Sequence, residues 1–389
     1  MAKPEIRLKG FKGEWENKLL GNLCSVNRGV RVTRKELNNQ GDYPVFQNTD
    51  YPMGFYNQYN VAGNNPFVII GGSAGLIGFS KKEFWAADDC VYFGDNAELD
   101  KAYLFNILLK HSSTIKKNVR GSSVPRLDRK VLVGLSISIP SIDEQQGIAD
   151  YFKSLDSMIQ GVTKKIASIK QMKQACLVSM FPQAGETTPR VRFKGFKGEW
   201  LHVELSECLS VCKDRNISES YNKNDVLSVS DDFGVVNQIE LLGRSYAGKS
   251  VANYRILRKG DIVYTKSPLK VKPFGIIKVN NGKDGIVSTL YAVYTPMDWV
   301  CSEYINYYFE PSFRMNKYIH PLVNKGAKND MKVSDENVLK GKIYIPKDIA
   351  EQEKIASFFK SLDKQISLQE ARLEKLKQIK SACLDKMFV

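Results

Sequence analysis

Several short stretches of this 389-residue chain carry residue types at spacings that could do chemistry. GRSYAGKS, Gly243 to Ser250, satisfies the G-x-x-x-x-G-K-[ST] pattern, in which loop amides and a lysine grip nucleotide phosphates. Such a loop needs a buried strand before it and a helix after it. Here VANYRILRKG leads straight into the strand-like DIVYT, with no second acidic strand to hold magnesium. Arg244 and Lys249 therefore read as solvated or nucleic-acid-facing cations, with an ATPase site at Lys249 as the lesser alternative. GNNPFV, Gly63 to Val68, approaches the N-P-P-[FY] loop of adenine methyltransferases. Asn65 stands where the first proline belongs, however, and no F-x-G-x-G cofactor strand precedes it. His202, Cys208 and Cys212 offer three metal donors, but the spacing suits no standard zinc module and a fourth ligand is missing. The glycines of IIGGSAGLIG miss the dinucleotide-binding spacing and read as a turn between strands.

Basic residues are the stronger signal. The net charge is +15 and the pI near 9.3, which argues for a polyanionic partner, since lysines and arginines release counterions from a phosphate backbone. The densest cluster is KKNVRGSSVPRLDRK, with Lys116, Lys117, Arg120 and Arg126 beside the hydroxyls of Ser122 and Ser123. Later in the chain NKGAKNDMK supplies Lys325, Lys328 and Lys332. Arg28, Arg31 and Arg34, and Lys266, Lys270 and Lys272, complete the candidate DNA contacts. Some of these should hold phosphates and a few should read base edges; the competing reading is a solvated charged face. Seven scattered cysteines fit a reducing compartment, and no window approaches a membrane span. With no signal-peptide core in MAKPEIRLKG, a cytoplasmic location is expected.

What would position these residues is a doubled frame. RLKGFKGEW, Arg7 to Trp15, returns as RFKGFKGEW, Arg192 to Trp200, with only Leu8 replaced by Phe193. A second repeat pairs EQQGIADYFKSLD, from Glu144, with EQEKIASFFKSLD, from Glu351, and nine of the thirteen positions agree. FPQAGETTP, Phe181 to Pro189, reads as the linker between copies.

Beyond each second repeat the spacing predicts a long helix. Ile159, Val162, Ile166, Ile169, Lys173, Cys176 and Met180 form one heptad seam; Ile366, Gln369, Leu373, Leu376, Lys380, Cys383 and Met387 form the other. Each helix is about 60 Å long at 1.5 Å per residue, too long to stand alone, so the two are expected to pair, with Lys173 and Lys380 as polar interruptions that fix register. Two like units relate most readily by a pseudo-twofold, which makes the helices antiparallel. They would space the variable blocks by about 18 base pairs at 3.4 Å each. Residues 137 to 182 carry five basic and four acidic groups, and residues 344 to 389 carry nine and seven, so most of the positive charge lies on the blocks. The expected fold is mixed α/β (α+β). Its parts are a first repeat and block at 1–140, a central helix at 141–182, a linker and second repeat at 183–200, a second block at 201–346 and a C-terminal helix at 347–389. The two blocks show no strong likeness in sequence, and Asn280 to Gly282 suits a hairpin turn in the second.

With these pieces in order, the chain resembles the DNA specificity subunit of type I restriction-modification systems. The likeness runs through the GFKGEW openings, IIGGSAGLIGF with FWAADD, YRILRKGDIVY, and the doubled IP-x-x-EQ-x-x-IA-x-F-x-x-LD helices. The resemblance implies a subunit without catalytic chemistry, whose two blocks are target recognition domains reading a bipartite, asymmetric site on double-stranded DNA. It further implies docking of two methyltransferase and two restriction subunits on the helices Ser141 to Phe181 and Lys347 to Val389. No cofactor is expected in this chain; S-adenosylmethionine, ATP and magnesium would sit on those partners. The alternative reading is a single-chain DNA-binding regulator.

Overall fold

The computed structural model describes residues 3–38, 40–266, 272–325 and 331–389. The chain divides into two compact units, Met1–Lys164 with Glu370–Val389, and Lys165–Gln369. Each unit therefore takes part of both long helices.

In the first unit an apolar run, Asn65–Ile69, is buried at every position and becomes a central strand, as β-branched and aromatic residues favour. It is part of a four-stranded antiparallel sheet in the order Val26–Arg28, Cys90–Phe93, Asn65–Ile69, Ile77–Ser80. Helix Lys101–Lys110 packs on this sheet, its start fixed by Asp100, whose side chain accepts from Tyr103 N. Strands Glu16–Leu19 and Ser136–Ile139 pair antiparallel and bring the first repeat to the foot of the central helix.

The second unit repeats this plan with different residues. Its four-stranded sheet runs Leu209–Val211, Tyr291–Pro296, Ile262–Thr265, Ile276–Val279, followed by helix Ser302–Phe309 and the strand pair Leu201–Glu204 with Lys342–Ile345. The blocks that show no strong likeness in sequence thus share one topology. The reason is that a half-buried strand asks only for apolar and β-branched residues on a pleat, a demand many sequences satisfy. They differ in what hangs from the sheet. The first unit inserts Tyr43–Phe46, which pairs antiparallel with Phe55–Tyr56 and parallel with Trp85–Ala86. The second inserts the hairpin Leu227–Ser230 with Gly234–Asn237, the helix Gln238–Leu242 and the strand Arg255–Leu257. Asn280 to Gly282 does turn the chain, with Asn280 Oδ1 accepting from Gly282 N at 3.1 Å, but the flanking strands are not a hairpin. Ile276–Val279 pairs with Ile262–Thr265, and Gly285–Val287 with Arg255–Leu257.

The central helix, Ile142–Ser179, and the C-terminal helix, Ile349–Lys386, are 38 residues each, slightly shorter than expected. In the first unit Asp156 Oδ1 accepts from Lys380 Nζ at 2.6 Å, and Tyr151 Oη lies 3.4 Å from Cys383 Sγ. In the second unit Lys173 Nζ donates to Asp363 Oδ1 at 2.6 Å, and Phe181 stacks on Phe359 at 6.0 Å. Rising positions on one helix meet falling positions on the other, so the pairing is antiparallel in both units. Asp156 and Asp363 are the same repeat position, as are Lys173 and Lys380, so one pair of positions is used twice with the helices exchanged, the reciprocity of an isologous contact. Along the seam Val162, Ile166, Ile169 and Met180 are buried, while Ile159, Ile366, Leu373 and Leu376 are half-buried.

The short repeats explain themselves at this point. Arg7 Nε and Nη2 each donate to the Glu144 carboxylate at 2.7 Å, and Nη1 donates to Gly13 O. Arg192 does the same to Glu351 and Gly198 O. The neighbouring glutamines bind main chain: Gln145 Nε2 donates to Glu98 O and Pro140 O, and Gln352 Nε2 to Trp299 O and Pro346 O. Each repeat is a clamp tying the block to its helix. No helix among the described residues is long and apolar enough to cross a membrane.

Candidate nucleic-acid interface

In the first unit three loops converge beyond the sheet. A Cβ on Gly71 would lie 2.4 Å from Asp89 Cγ and push that carboxylate aside, and Gly72 sits at φ +77°, a backbone region that glycine adopts without strain. Main-chain bonds lock the loops together: Gly72 N donates to Pro125 O at 3.2 Å, Leu127 N to Ile70 O at 2.9 Å, and Ser73 N to Asn48 O at 3.1 Å. IIGGSAGLIG is therefore the turn expected, and it forms the floor against which FWAADD and the basic cluster are seated.

The arginines arrive there from separate stretches. Arg28 Nε donates to Asp88 O at 2.5 Å, and Arg126 Nη1 lies 3.2 Å from Asp89 Oδ1. With Arg129 they line a cleft of about 410 Å³. Arg31 and Arg34 line a second cleft of about 570 Å³ together with Gln47, Asn48 and Asn38. Arg120 pairs main chain to main chain with Arg126, closing the loop that exposes Ser122. Lys116 and Lys117 are exposed at the end of helix Ser112–Lys117. The candidates of the first block thus come from the end of strand Val26–Arg28, from loops, and from the end of helix Ser112–Lys117. Gln47, Asn48, Asp88 and Asp89 join them without having been singled out in the sequence.

The second unit distributes its candidates differently. Lys266 Nζ pairs with Asp335 Oδ1 at 2.5 Å, on a buried carboxylate shared with Arg255. Lys272 Nζ reaches Asp231 Oδ1 at 2.7 Å, and Lys278 approaches the same oxygen at 3.5 Å. Burial pushes the Lys278 ammonium down from its ordinary range, and these lysines hold Asp231 below its own despite its burial. Lys266 and Lys272, candidates for DNA contact, each make an ion pair within the unit, because carboxylates distant in sequence fold against them. Lys325 lies on the short strand Asn324–Lys325, Lys332 on Met331–Lys332, and Lys270 and Lys328 lie outside the described residues.

The enzyme-like stretches have other roles. Gly243 ends helix Gln238–Leu242 at φ +75°, and no helix follows before strand Arg255–Leu257. The loop amide of Tyr246 is bound to Gln238 Oε1 at 2.7 Å, so GRSYAGKS lacks the strand-loop-helix cradle for phosphates. It leaves Arg244 over the exposed Tyr246 ring at 4.6 Å, with Lys249 exposed nearby. Asn65 is inside the sheet, with Nδ2 donating to Phe93 O at 3.0 Å. His202 stacks on Tyr344 at 4.3 Å, and Cys208 and Cys212 are buried in separate apolar clusters. Burial pushes the Cys208 thiol up to about 12. No group of three metal-capable side chains forms among the described residues.

The arrangement of two like frames with unlike loops has counterparts among known proteins. The profile described as the type I restriction modification DNA specificity domain matches residues 12–171 and again residues 216–378, most of the chain. The chain belongs to this specificity family. Its double match falls on the two blocks with their helices, as the repeated topology requires. Among curated relatives, a Mycoplasma pneumoniae protein provisionally named a type I specificity subunit is 28% identical over 180 residues, 45% of this chain and 48% of that one. The specificity subunit of the type I restriction enzyme MjaVIII from Methanocaldococcus jannaschii is 24% identical over 277 residues, 64% of this chain and 63% of that one. The chain therefore matches about half to just under two thirds of the length of these relatives. The crystal structure of a type I restriction-modification S subunit from M. genitalium superposes with a TM-score of 0.67 at 16% identity, over 100% of this chain and 99% of that one, which establishes the shared fold.

Proposed function

We propose that this chain is a non-catalytic specificity subunit that reads a bipartite, asymmetric sequence on double-stranded DNA, one half with each unit. The observation that carries the reading is the repetition of one sheet topology on clamped helices with different inserted loops. A common frame presents equivalent faces to DNA, and unlike loops on those faces recognise unlike half-sites. The excess positive charge supports a duplex partner. In the first unit Lys116, Lys117, Arg120 and Ser122 hold phosphates; in the second, Arg244, Tyr246 and Lys249 are the exposed cation and stacking groups.

The paired helices act as the spacer between half-sites and offer their outer faces to two methyltransferase and two restriction subunits. Chemistry belongs to those partners, with S-adenosylmethionine on the former and ATP with magnesium on the latter, and the complex works in the cytoplasm. The regulator reading predicts DNA binding without modification.

The test is co-expression with the methyltransferase encoded beside this chain, followed by genome-wide mapping of modified adenines. A split motif with a fixed unspecified gap, lost when this chain is omitted, is expected. A soluble complex that modifies nothing would overturn the proposal.

A further inference from the structure

Which side chains of the first unit touch bases is answered by two carboxylates, an acidic wall held by residues of both clefts. Arg28 and Arg126, which line the first cleft, donate to Asp88 O and Asp89 Oδ1, and Gln47, which lines the second, places its Nε2 3.4 Å from Asp88 Oδ1. The Asn48 carboxamide and the Arg31 and Arg34 guanidiniums, all exposed, make no side-chain hydrogen bond or ion pair among the described residues. The Asn48 backbone is nevertheless fixed, because Asn48 O accepts from Ser73 N at 3.1 Å, and a Cβ added at Gly72 would come within 2.9 Å of Asn48 Cβ, so the two segments lie close together. Unsatisfied donors and acceptors on an anchored main chain are what a recognition surface requires, since little ordering remains to be done on binding.

Carboxylates in this position decide what the surface reads. A site for phosphate oxygens gains nothing from Asp88 and Asp89, which repel them. Base edges in the major groove are different: guanine offers two acceptors to a guanidinium, adenine offers an acceptor and a donor to a carboxamide, and cytosine offers an amino group to a carboxylate. We propose that Gln47, Asn48 and Arg31 in the second cleft read base edges of one half-site, and that the Asp88–Asp89 wall rejects sequences that present acceptors to it. Arg28 and Arg126 are positioning residues that hold the wall. The carboxylates supply the repulsive element that specificity needs beside its attractive contacts. This assignment rests on the reading that the first unit binds duplex DNA.

The experiment uses the full chain in complex with its adjacent methyltransferase and maps modified adenines for the wild type, Asn48→Ala and Asn48→Asp. Asn48→Ala should make one base position in one half-site degenerate, with discrimination there falling about tenfold or more, while the other half and the gap stay unchanged. Asn48→Asp keeps the main-chain bond to Ser73 and exchanges a donor for an acceptor, so it should move the preference toward a base offering an amino group. It also decides the matter should the alanine variant fail to fold. Lys116→Ala, a phosphate contact, should weaken modification without altering the motif. A wild type without a split motif would overturn the function proposed above. A wild-type split motif that both Asn48 variants leave unchanged would overturn this assignment alone.

Discussion

Arg7 and Arg192 show how far a repeated residue can be understood from sequence. Their recurrence in RLKGFKGEW and RFKGFKGEW is plain, but their partners, Glu144 and Glu351, lie 137 and 159 positions away and meet them only in the folded chain. Glu144 is 1% exposed, so Arg7→Ala leaves a buried carboxylate unpaired and should cost about 3 kcal/mol in denaturant unfolding of the full chain. Arg7→Lys should recover little, because an ammonium cannot reproduce the two-pronged fork. The same distance in sequence hid Asp335 from Lys266 and Asp231 from Lys272, so neither ion pair was legible before folding. His111, between helices Lys101–Lys110 and Ser112–Lys117, gives a residue-scale prediction in pH. Burial, helped by Lys110, lowers its folded pKa below 6.5, so the unfolded chain takes up the proton first on acidification. Its contribution to stability is therefore lost as pH falls through about 6.5. Unfolding midpoints of wild type and His111→Asn should converge near pH 5 relative to pH 8; a constant difference would contradict this.

The long helices were the most legible elements, because apolar residues at alternate spacings of three and four leave no second interpretation over ten turns. What periodicity could not supply was the answering carboxylate for each seam lysine, since Asp156 and Asp363 sit outside the apolar stripe. Lys173 is 7% exposed and bridges Asp363 and Glu310. Lys173→Ala should therefore cost about 3 kcal/mol, and Lys380→Ala, at a more open pair, about 1 kcal/mol. Exchanging the charges as Lys380→Asp with Asp156→Lys should recover most of what either change loses, measured as a double-mutant cycle by thermal unfolding; additive losses would show that the pair does not interact. The common topology of the blocks was hidden for the opposite reason. A short strand leaves a weak pattern, and the order of strands in a sheet is set by pairings across tens of residues.

For the whole molecule, composition and repetition carried most of the reading: the charge pointed to DNA, and the doubled frame to two related recognition units. The proposed interface was half visible, its arginines through their charge and its Gln47 and Asn48 not at all, because polar loop residues gain meaning only when folding brings three loops together. A spacer role for the helices predicts that one heptad inserted at equivalent places in both lengthens the gap by about 10 Å, or three base pairs. An unchanged gap in the modification map would rule that role out. Independent reading by the two units is the central claim, and the structure shows where to cut to test it. Residues 20–135 lie inside the strand pair Glu16–Leu19 with Ser136–Ile139, so they can be replaced by the equivalent block of a relative while the clamped frame is kept. Mapping of modified adenines should then show one half-site changed, with the other half and the gap retained. Altered specificity in both halves would contradict the account.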